Sequence, residues 1–242
     1  MPVYCITGTN RGLGLEFVKQ LAQTITNNTI IATAQAGADL RELHAVASPS
    51  THILECDVSS VSSIYSFVQE AGRILGGDGP GKVDFLLNNA GVSLSGWRNS
   101  LALDLDELQT QFTINVVGPA KVVQLLLGAD LLSHGVRIIN ISSHLGSMQF
   151  CSGVKPRSYA GYSISKAALN MLTVRQSEDV KEVLAGAVVI SMAPGLVKTR
   201  MGGEEAVLEP SESIAGMLRT IHCLGSEDTG SSFQYTGEKL AW

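Results

Sequence analysis

The stretch Thr7-Gly8-Thr9-Asn10-Arg11-Gly12-Leu13-Gly14 follows directly on an apolar run, Val3-Tyr4-Cys5-Ile6, and opens a segment in which Leu13, Phe17, Leu21 and Ile25 recur at helical spacing. A strand, a glycine-rich turn and an amphipathic helix in that order make a phosphate cradle. Gly8, Gly12 and Gly14 let the backbone turn sharply and approach a pyrophosphate, while the helix N-terminus supplies amide donors and the positive end of a dipole. A glycine cluster also makes ordinary turns, so its meaning rests on the rest of the chain.

Outward from that turn the same alternation continues. Residues 3–7, 29–33, 52–56, 83–87, 136–141 and 187–192 read as short strands, mostly apolar on both faces as in a parallel sheet covered by helices. Between them, 13–25, 61–75, 106–132 and 162–183 carry apolar residues at helical spacing. The unbroken βαβα order predicts an α/β fold, a Rossmann-type doubly wound parallel sheet with right-handed crossovers. No low-complexity linker interrupts it, which predicts a single domain over residues 1–242. The irregular stretch RMGGEEAVLEPSE, from Arg200 to Glu212, follows a strand end, where open α/β sheets hold their ligands. A substrate lid over about 200–213 and a plain surface loop both fit it.

Composition narrows the function classes. The 242 residues are 45% hydrophobic and 16% charged with a net charge of −5, enough apolar material for a core and no basic excess. Nucleic acid and anionic membrane surfaces are therefore not expected partners. No run of about 18 apolar residues offers a membrane span, and the N-terminus has neither the basic nor the apolar part of a secretory leader. A cytoplasmic location is the expectation. Cys5, Cys56, Cys151 and Cys223 have neither metal-ligand nor disulfide-framework spacing and read as reduced. The five histidines form no HxxxH or HExxH pair, so no metal is expected.

Tyr162 and Lys166, four residues apart at the start of a predicted helix, project from one face. An ammonium about 4 Å from a phenol at an effective dielectric near 20 contributes about 4 kcal/mol, or roughly three pKa units, which would bring Tyr162 near neutrality. Tyr159 has Ser163 at the same spacing and is the weaker candidate. Ser142 and Ser143 end a predicted strand, where a hydroxyl can donate to a carbonyl oxygen becoming an alkoxide; a strand simply ending in two serines is the alternative. Asn115 stands inside an apolar helical stretch just before Gly118-Pro119, a kink and water-holding position or a solvent-facing side chain. Asp57 suits either an adenine amino group or a helix cap before Ser59-Ser60, and the small residues of Asn88-Asn89-Ala90-Gly91 suit either a flat adenosine or a turn.

Together TGTNRGLG at 7–14, Asp57-Val58, NNAG at 88–91, Asn115, ISS at 141–143, YSISK at 162–166 and PGLVKT at 194–199 resemble the short-chain dehydrogenase/reductase family, in order and over nearly the whole chain. The tail FQYTGEKLAW and the stretch VKTRMGGEEAVLEPSES are similar to its carbonyl-reductase branch, the members related to sniffer and the bacterial C-factor. The resemblance implies a catalytic tetrad of Asn115, Ser143, Tyr162 and Lys166. Ser143 takes the serine place because a glycine, Gly146, stands three residues later, as in the family. Tyr162 would protonate the carbonyl oxygen, Ser143 polarise it, Lys166 lower the tyrosine pKa and bind the nicotinamide ribose, and Asn115 hold a water leading to Lys166. The implied cofactor set is Gly8, Asn10, Arg11, Gly12, Leu13, Gly14, Gln35, Asp57, Val58, Asn89, Ala90, Gly91, Tyr162, Lys166, Pro194, Gly195, Val197 and Thr199.

No acidic residue lies at 33–37 to bind a ribose 2′-hydroxyl, and Arg11 stands where NADP-dependent relatives face the 2′-phosphate, although Gln35 replaces a second arginine. NADP(H) is expected over NAD. Ser143 and Tyr162 are 19 positions apart, longer than the family's usual separation, and the extra residues make a flap over 147–161 beside the site. Ile164, Ala168 and Met171, with the apolar helix near 122–127, resemble the helix pair through which the family forms homodimers and homotetramers, a contact the flap would obstruct. The expected activity is hydride transfer between nicotinamide and a ketone, aldehyde or secondary alcohol. A non-catalytic dinucleotide-binding regulator on the same fold is the alternative, which loss of Tyr162 or Lys166 would have favoured. A sugar-nucleotide epimerase needs a larger substrate region than 242 residues leave.

Overall fold

In β1 (Val3–Ile6), Val3 and Cys5 pack into one apolar cluster and Tyr4 and Ile6 into another, so the strand needs cover on both faces. The computed structural model, which describes residues 1–24, 27–94, 96–153, 155, 157–203 and 205–242, supplies it. Seven parallel strands lie in the order β3-β2-β1-β4-β5-β6-β7: β2 (Thr29–Ala34), β3 (Thr51–Glu55), β4 (Val83–Asn88), β5 (Leu132–Ile141), β6 (Val188–Ala193) and β7 (Ser232–Gln234). Helices α1 (Gly12–Thr24), α2 (Arg41–Val46) and α8 (Pro210–Cys223) cover one face through Phe17, Leu21, Leu43, Ile214 and Met217. Helices α3 (Val61–Leu75), α5 (Gly118–Gly128) and α7 (Ala160–Val183) cover the other through Phe67, Val122, Leu126 and Val180. The remaining helices are α4 (Leu105–Phe112) and α6 (Met148–Gly153). The fold is the doubly wound, Rossmann-type sheet that the βαβ order predicts.

Several boundaries differ from the sequence expectation. The long helix at 106–132 is broken: α4 runs into a π-helical turn, Thr113–Val117, then α5, and the chain reverses at Asp130, φ 57°, before β5 begins at Leu132. Leu131 and Leu132 continue the apolar spacing, so periodicity alone reads through a reversal that depends on a left-handed residue. Helix α8 begins at Pro210, so the last residues of the 200–213 stretch are helical. Pro at the first turn, Glu212 beside it, and Ile214, Met217, Leu218 and Ile221 buried below were its signal. Leu196 and Lys198 pair with Leu208 across that stretch, and Lys198 bonds to Glu209. Within 147–161 lies α6. Ile25 of the predicted stripe, Val154 and Pro156 of the flap, and Glu204 fall outside the described residues. Of the helix pair expected at a dimer contact, Val122, Val123 and Leu126 are core residues, while Ile164 and Met171 are exposed.

Candidate active site

Parallel strands end at one side of the sheet, and successive connections lead away from β1 in opposite directions, so a crevice forms between the ends of β1 and β4. Gly8, Asn10, Arg11, Gly12, Leu13 and Gly14 follow β1, and Gln35 follows β2. Asp57 and Val58 follow β3, Asn89, Ala90 and Gly91 follow β4, Ser143 follows β5, and Pro194, Gly195, Val197 and Thr199 follow β6.

Two threonines secure the glycine turn from below. The Thr9 amide and hydroxyl both donate to the Thr33 carbonyl, at 2.8 and 3.0 Å. Thr7 Oγ1 accepts from the Asn89 and Ala90 amides at 3.0 Å each, and Asn89 Nδ2 donates to the carbonyls of Thr7 and Gly8 at 2.8 and 2.9 Å. The turns after β1 and β4 are therefore one hydrogen-bonded unit with Thr7 at its centre. Thr7 is a residue that sequence reasoning gave no role; a buried hydroxyl ending a strand just before a glycine was its only signal. The glycines are required there: Gly8 has φ +70°, and a Cβ on Gly14 would lie 2.1 Å from the Gly8 carbonyl oxygen. Thr199, from the β6 loop, comes within 3.8 Å of the Cβ position of Gly12.

Outside this turn a cavity of about 440 Å³ is lined by Asn10, Arg11, Gln35, Gly37, Asp39 and Glu42, among others. Sequence reasoning found no acid at 33–37 and missed these two, which α2 and its approach bring back to the site. Asp39 is tied up: Arg41 holds it at 2.6 to 3.1 Å, and hydrogen bonds from Arg41 keep its pKa down at about 2. Gln35 Nε2 donates to Asp57 Oδ1 at 3.2 Å. Burial works against the Asp57 charge, but hydrogen bonds from Ser59 and Gln35 outweigh it and hold the carboxyl below its usual range. The helix cap weighed for Asp57 falls instead to Ser60, which accepts from the Ser63 amide. A larger hollow of about 670 Å³, lined by Tyr65 and Arg73 among others, lies between β3 and α3 at the sheet edge, away from these loops.

Ser143, Tyr162, Lys166 and Asn115 converge beyond Gly91. Lys166, 5% exposed, donates from Nζ to the Ile141 carbonyl at 2.7 Å and lies 5.7 Å from the centre of the Tyr162 ring. The Cβ position of Gly91 is 3.2 Å from Asn115 Oδ1 and 3.5 Å from Lys166 Nζ, so a side chain there would crowd both groups. Burial pushes the Tyr162 phenol up to about 12, with a hydrogen bond from Ser143 in the opposite sense, and burial pushes Lys166 down to about 8. The expectation that Lys166 holds Tyr162 near neutrality is corrected. The ammonium is directed at a backbone carbonyl and lies against the ring, and loss of water dominates for both groups. Asn115, in the π-helical turn, is held on both sides: its Oδ1 accepts from the Val92 amide at 2.9 Å, and its Nδ2 donates to the Val92 carbonyl at 2.9 Å and Ser165 Oγ at 3.0 Å. That amide holds the loop after β4 against α7.

This arrangement fits a dinucleotide. It has a helix start with a glycine turn for a pyrophosphate, a strand-end cradle free of side chains at Gly91, and a rim carrying one arginine, Arg11, with no ion pair among the described residues.

Residues 2–207 match the model of the short chain dehydrogenase family. C-signal of Myxococcus xanthus is 38% identical over 162 residues, 67% of this chain and 94% of that protein. An uncharacterized oxidoreductase of Schizosaccharomyces pombe is 30% identical over 261 residues, 99% of this chain and 98% of its own. Among solved structures, an NADPH-bound carbonyl reductase from chicken fatty liver superposes with a TM-score of 0.89 at 31% identity, and carbonyl reductase Sniffer of Drosophila melanogaster with 0.88 at 30%, both over 100% of the two chains.

Proposed function

This chain belongs to the short chain dehydrogenase family, and we propose that it is an NADPH-dependent reductase of ketones and aldehydes acting through Asn115, Ser143, Tyr162 and Lys166. The observation that carries the reading is the half-buried Tyr162 phenol, hydrogen-bonded to Ser143 with the Lys166 ammonium against its ring, at the carboxyl ends of β5 and β4. The likeness to the NADPH-bound chicken carbonyl reductase and to Sniffer supports both the coenzyme and the reaction class.

The coenzyme supplies the hydride. Gly8, Gly12, Leu13 and Gly14 bind its pyrophosphate with the amides of the first turn, and Asn10 and Arg11 meet the 2′-phosphate at the rim where Arg41 has already neutralised Asp39. Asp57, Val58, Asn89, Ala90 and Gly91 form the adenosine side, and Pro194, Gly195, Val197 and Thr199 the nicotinamide side. Ser143 Oγ accepts from the Leu145 amide at 3.1 Å and donates to the Tyr162 phenol, a bond its hydroxyl would exchange for the carbonyl oxygen of a substrate. Tyr162 donates the proton to that oxygen. A phenol held up at about 12 is fully protonated at neutral pH, ready as the acid a reduction needs, and the phenolate left behind faces the Lys166 cation. Alcohol oxidation would begin from that phenolate. Asn115 positions the loop after β4.

The same reading treats residues 1–242 as one domain, 147–161 as a wall and about 200–213 as a lid over the substrate, in a cytoplasmic protein. A second copy of the chain would meet Leu105, Ile164 and Met171. The test is loss of dihydronicotinamide absorbance with a panel of carbonyl compounds, using NADPH and NADH. Tyr162→Phe should abolish turnover while leaving coenzyme binding within a few-fold. Near-wild-type rates in that variant would remove Tyr162 as proton donor.

A further inference from the structure

Between β5 and α7 runs a seam of buried polar side chains. Asn140 on β5 and Ser142, just past its end, alternate onto the face that meets α7; on α7, Lys166, Asn170, Thr173 and Gln176 descend one side. Asn140 Nδ2 donates to Thr173 Oγ1 at 3.0 Å and to Gln176 Oε1 at 3.1 Å, and its Oδ1 accepts from Asn88 Nδ2 at 2.8 Å. One turn nearer the site, Asn170 Oδ1 accepts from the Ser142 hydroxyl at 2.6 Å and Asn170 Nδ2 donates to the Gly146 carbonyl at 3.0 Å. Residues 142 and 146 bracket Ser143, so one amide side chain grips both ends of the turn that carries the serine hydroxyl. Gly146 packs so closely that a Cβ would lie 2.9 Å from the Lys166 carbonyl carbon and 3.0 Å from Asn170 Nδ2.

Apolar packing between a helix and a sheet is non-directional and tolerates small slides. Hydrogen bonds of fixed length do not. We propose, on the premise of the reductase reading above, that Asn170 is a positioning residue for catalysis: by clamping Ser142 and Gly146 to the helix that bears Tyr162 and Lys166, it sets the Ser143 hydroxyl against the Tyr162 phenol. The Lys166 bond to Ile141 is the neighbouring strut on the same strand end. Asn170 touches neither substrate nor coenzyme in this scheme; it acts through Ser143.

Asn170→Ala removes both bonds, and Asn170→Asp keeps the acceptor for Ser142 while losing the donor to Gly146. Thr173→Val, which cuts the seam at Asn140 and leaves the serine turn untouched, is the control for a purely structural role. The clamp predicts that Asn170→Ala lowers kcat about ten- to a hundred-fold, the scale expected for a reacting group misplaced by about an ångström. The coenzyme Kd should stay within about two-fold, and Asn170→Asp, which sets an oxygen against the Gly146 carbonyl, should fall at least as far as Ala. Amide hydrogen exchange of the 142–147 segment should quicken in both Asn170 variants and not in Thr173→Val. The proposal is overturned if both Asn170 variants turn over within two-fold of wild type, if Thr173→Val loses as much, or if exchange in the segment is unchanged. Should Asn170→Ala not fold, Asn170→Asp decides alone. A wild-type chain that reduces no carbonyl compound would refute the reductase reading, and hydrogen exchange, which needs no substrate, would then decide the clamp.

Discussion

Lys166→Met should make the protein's stability respond differently to pH, and by a calculable amount. Lys166 is 5% exposed, with one backbone carbonyl and an aromatic face as its recorded partners, and burial lowers its pKa to about 8 from an ordinary 10.5. Between those two values the unfolded chain holds the lysine proton and the folded chain has released it, so raising the pH favours folding, by up to about 1.4 kcal/mol per pH unit. Taking the proton binding of both states into account, the wild type should gain roughly 2 kcal/mol relative to Lys166→Met between pH 7 and 9.5. Buried Cys5 and Cys56, whose thiols are raised by burial, pull stability down over part of this range, and Tyr4 and Tyr162, both pushed up to about 12, do so above pH 10. These groups are common to both chains, so the difference isolates the lysine. Urea unfolding of the coenzyme-free proteins at the two pH values, with urea chosen because it adds no ionic screening, measures it. A difference that stays constant would mean that Lys166 keeps its water in the folded state, and the account of a dehydrated cation beside Tyr162 would fail.

Arg11→Ala should weaken NADPH about ten-fold or more and leave NADH nearly unchanged, the loss expected for a charge-assisted phosphate contact; equal weakening of both, by fluorescence titration, would remove Arg11 from the 2′-phosphate. Thr7→Val keeps the volume but strands the Asn89 and Ala90 amides, costing about 1–3 kcal/mol in urea unfolding together with weaker coenzyme binding. An unchanged midpoint would show that those amides find other partners. Gly14→Ala drives a methyl group to 2.1 Å from the Gly8 carbonyl, so the turn must open: coenzyme binding should be lost and stability fall by about 1–3 kcal/mol. A variant that binds NADPH normally would contradict the close approach.

Local pattern was sufficient wherever the physics is local. Strands apolar on both faces, a strand, glycine turn and helix in that order, and a Tyr and Lys one helical turn apart are properties of neighbouring residues, and they led to the doubly wound sheet and to the site at its strand ends. The break at Asp130, the three-residue strand β7 and helix α8 escaped because continuing periodicity hides a reversal, a strand of that length has no period, and acids with paired glycines mask the helix start that follows.

By itself the amino-acid order determined the class of fold and the loops on which the reacting groups sit. Only the tertiary structure decided their electrical state and their spacing. Lys166 is buried and Tyr162 half-buried among residues distant in sequence, and the burial raises the tyrosine where reasoning from a neighbouring charge expected it to fall. Asp39 enters the coenzyme rim, already neutralised by Arg41, and Asn170 reaches back 24 and 28 positions to hold the Ser143 turn. Dehydration and hydrogen-bond reach depend on which surfaces meet in three dimensions, and spacing along a chain carries no record of that.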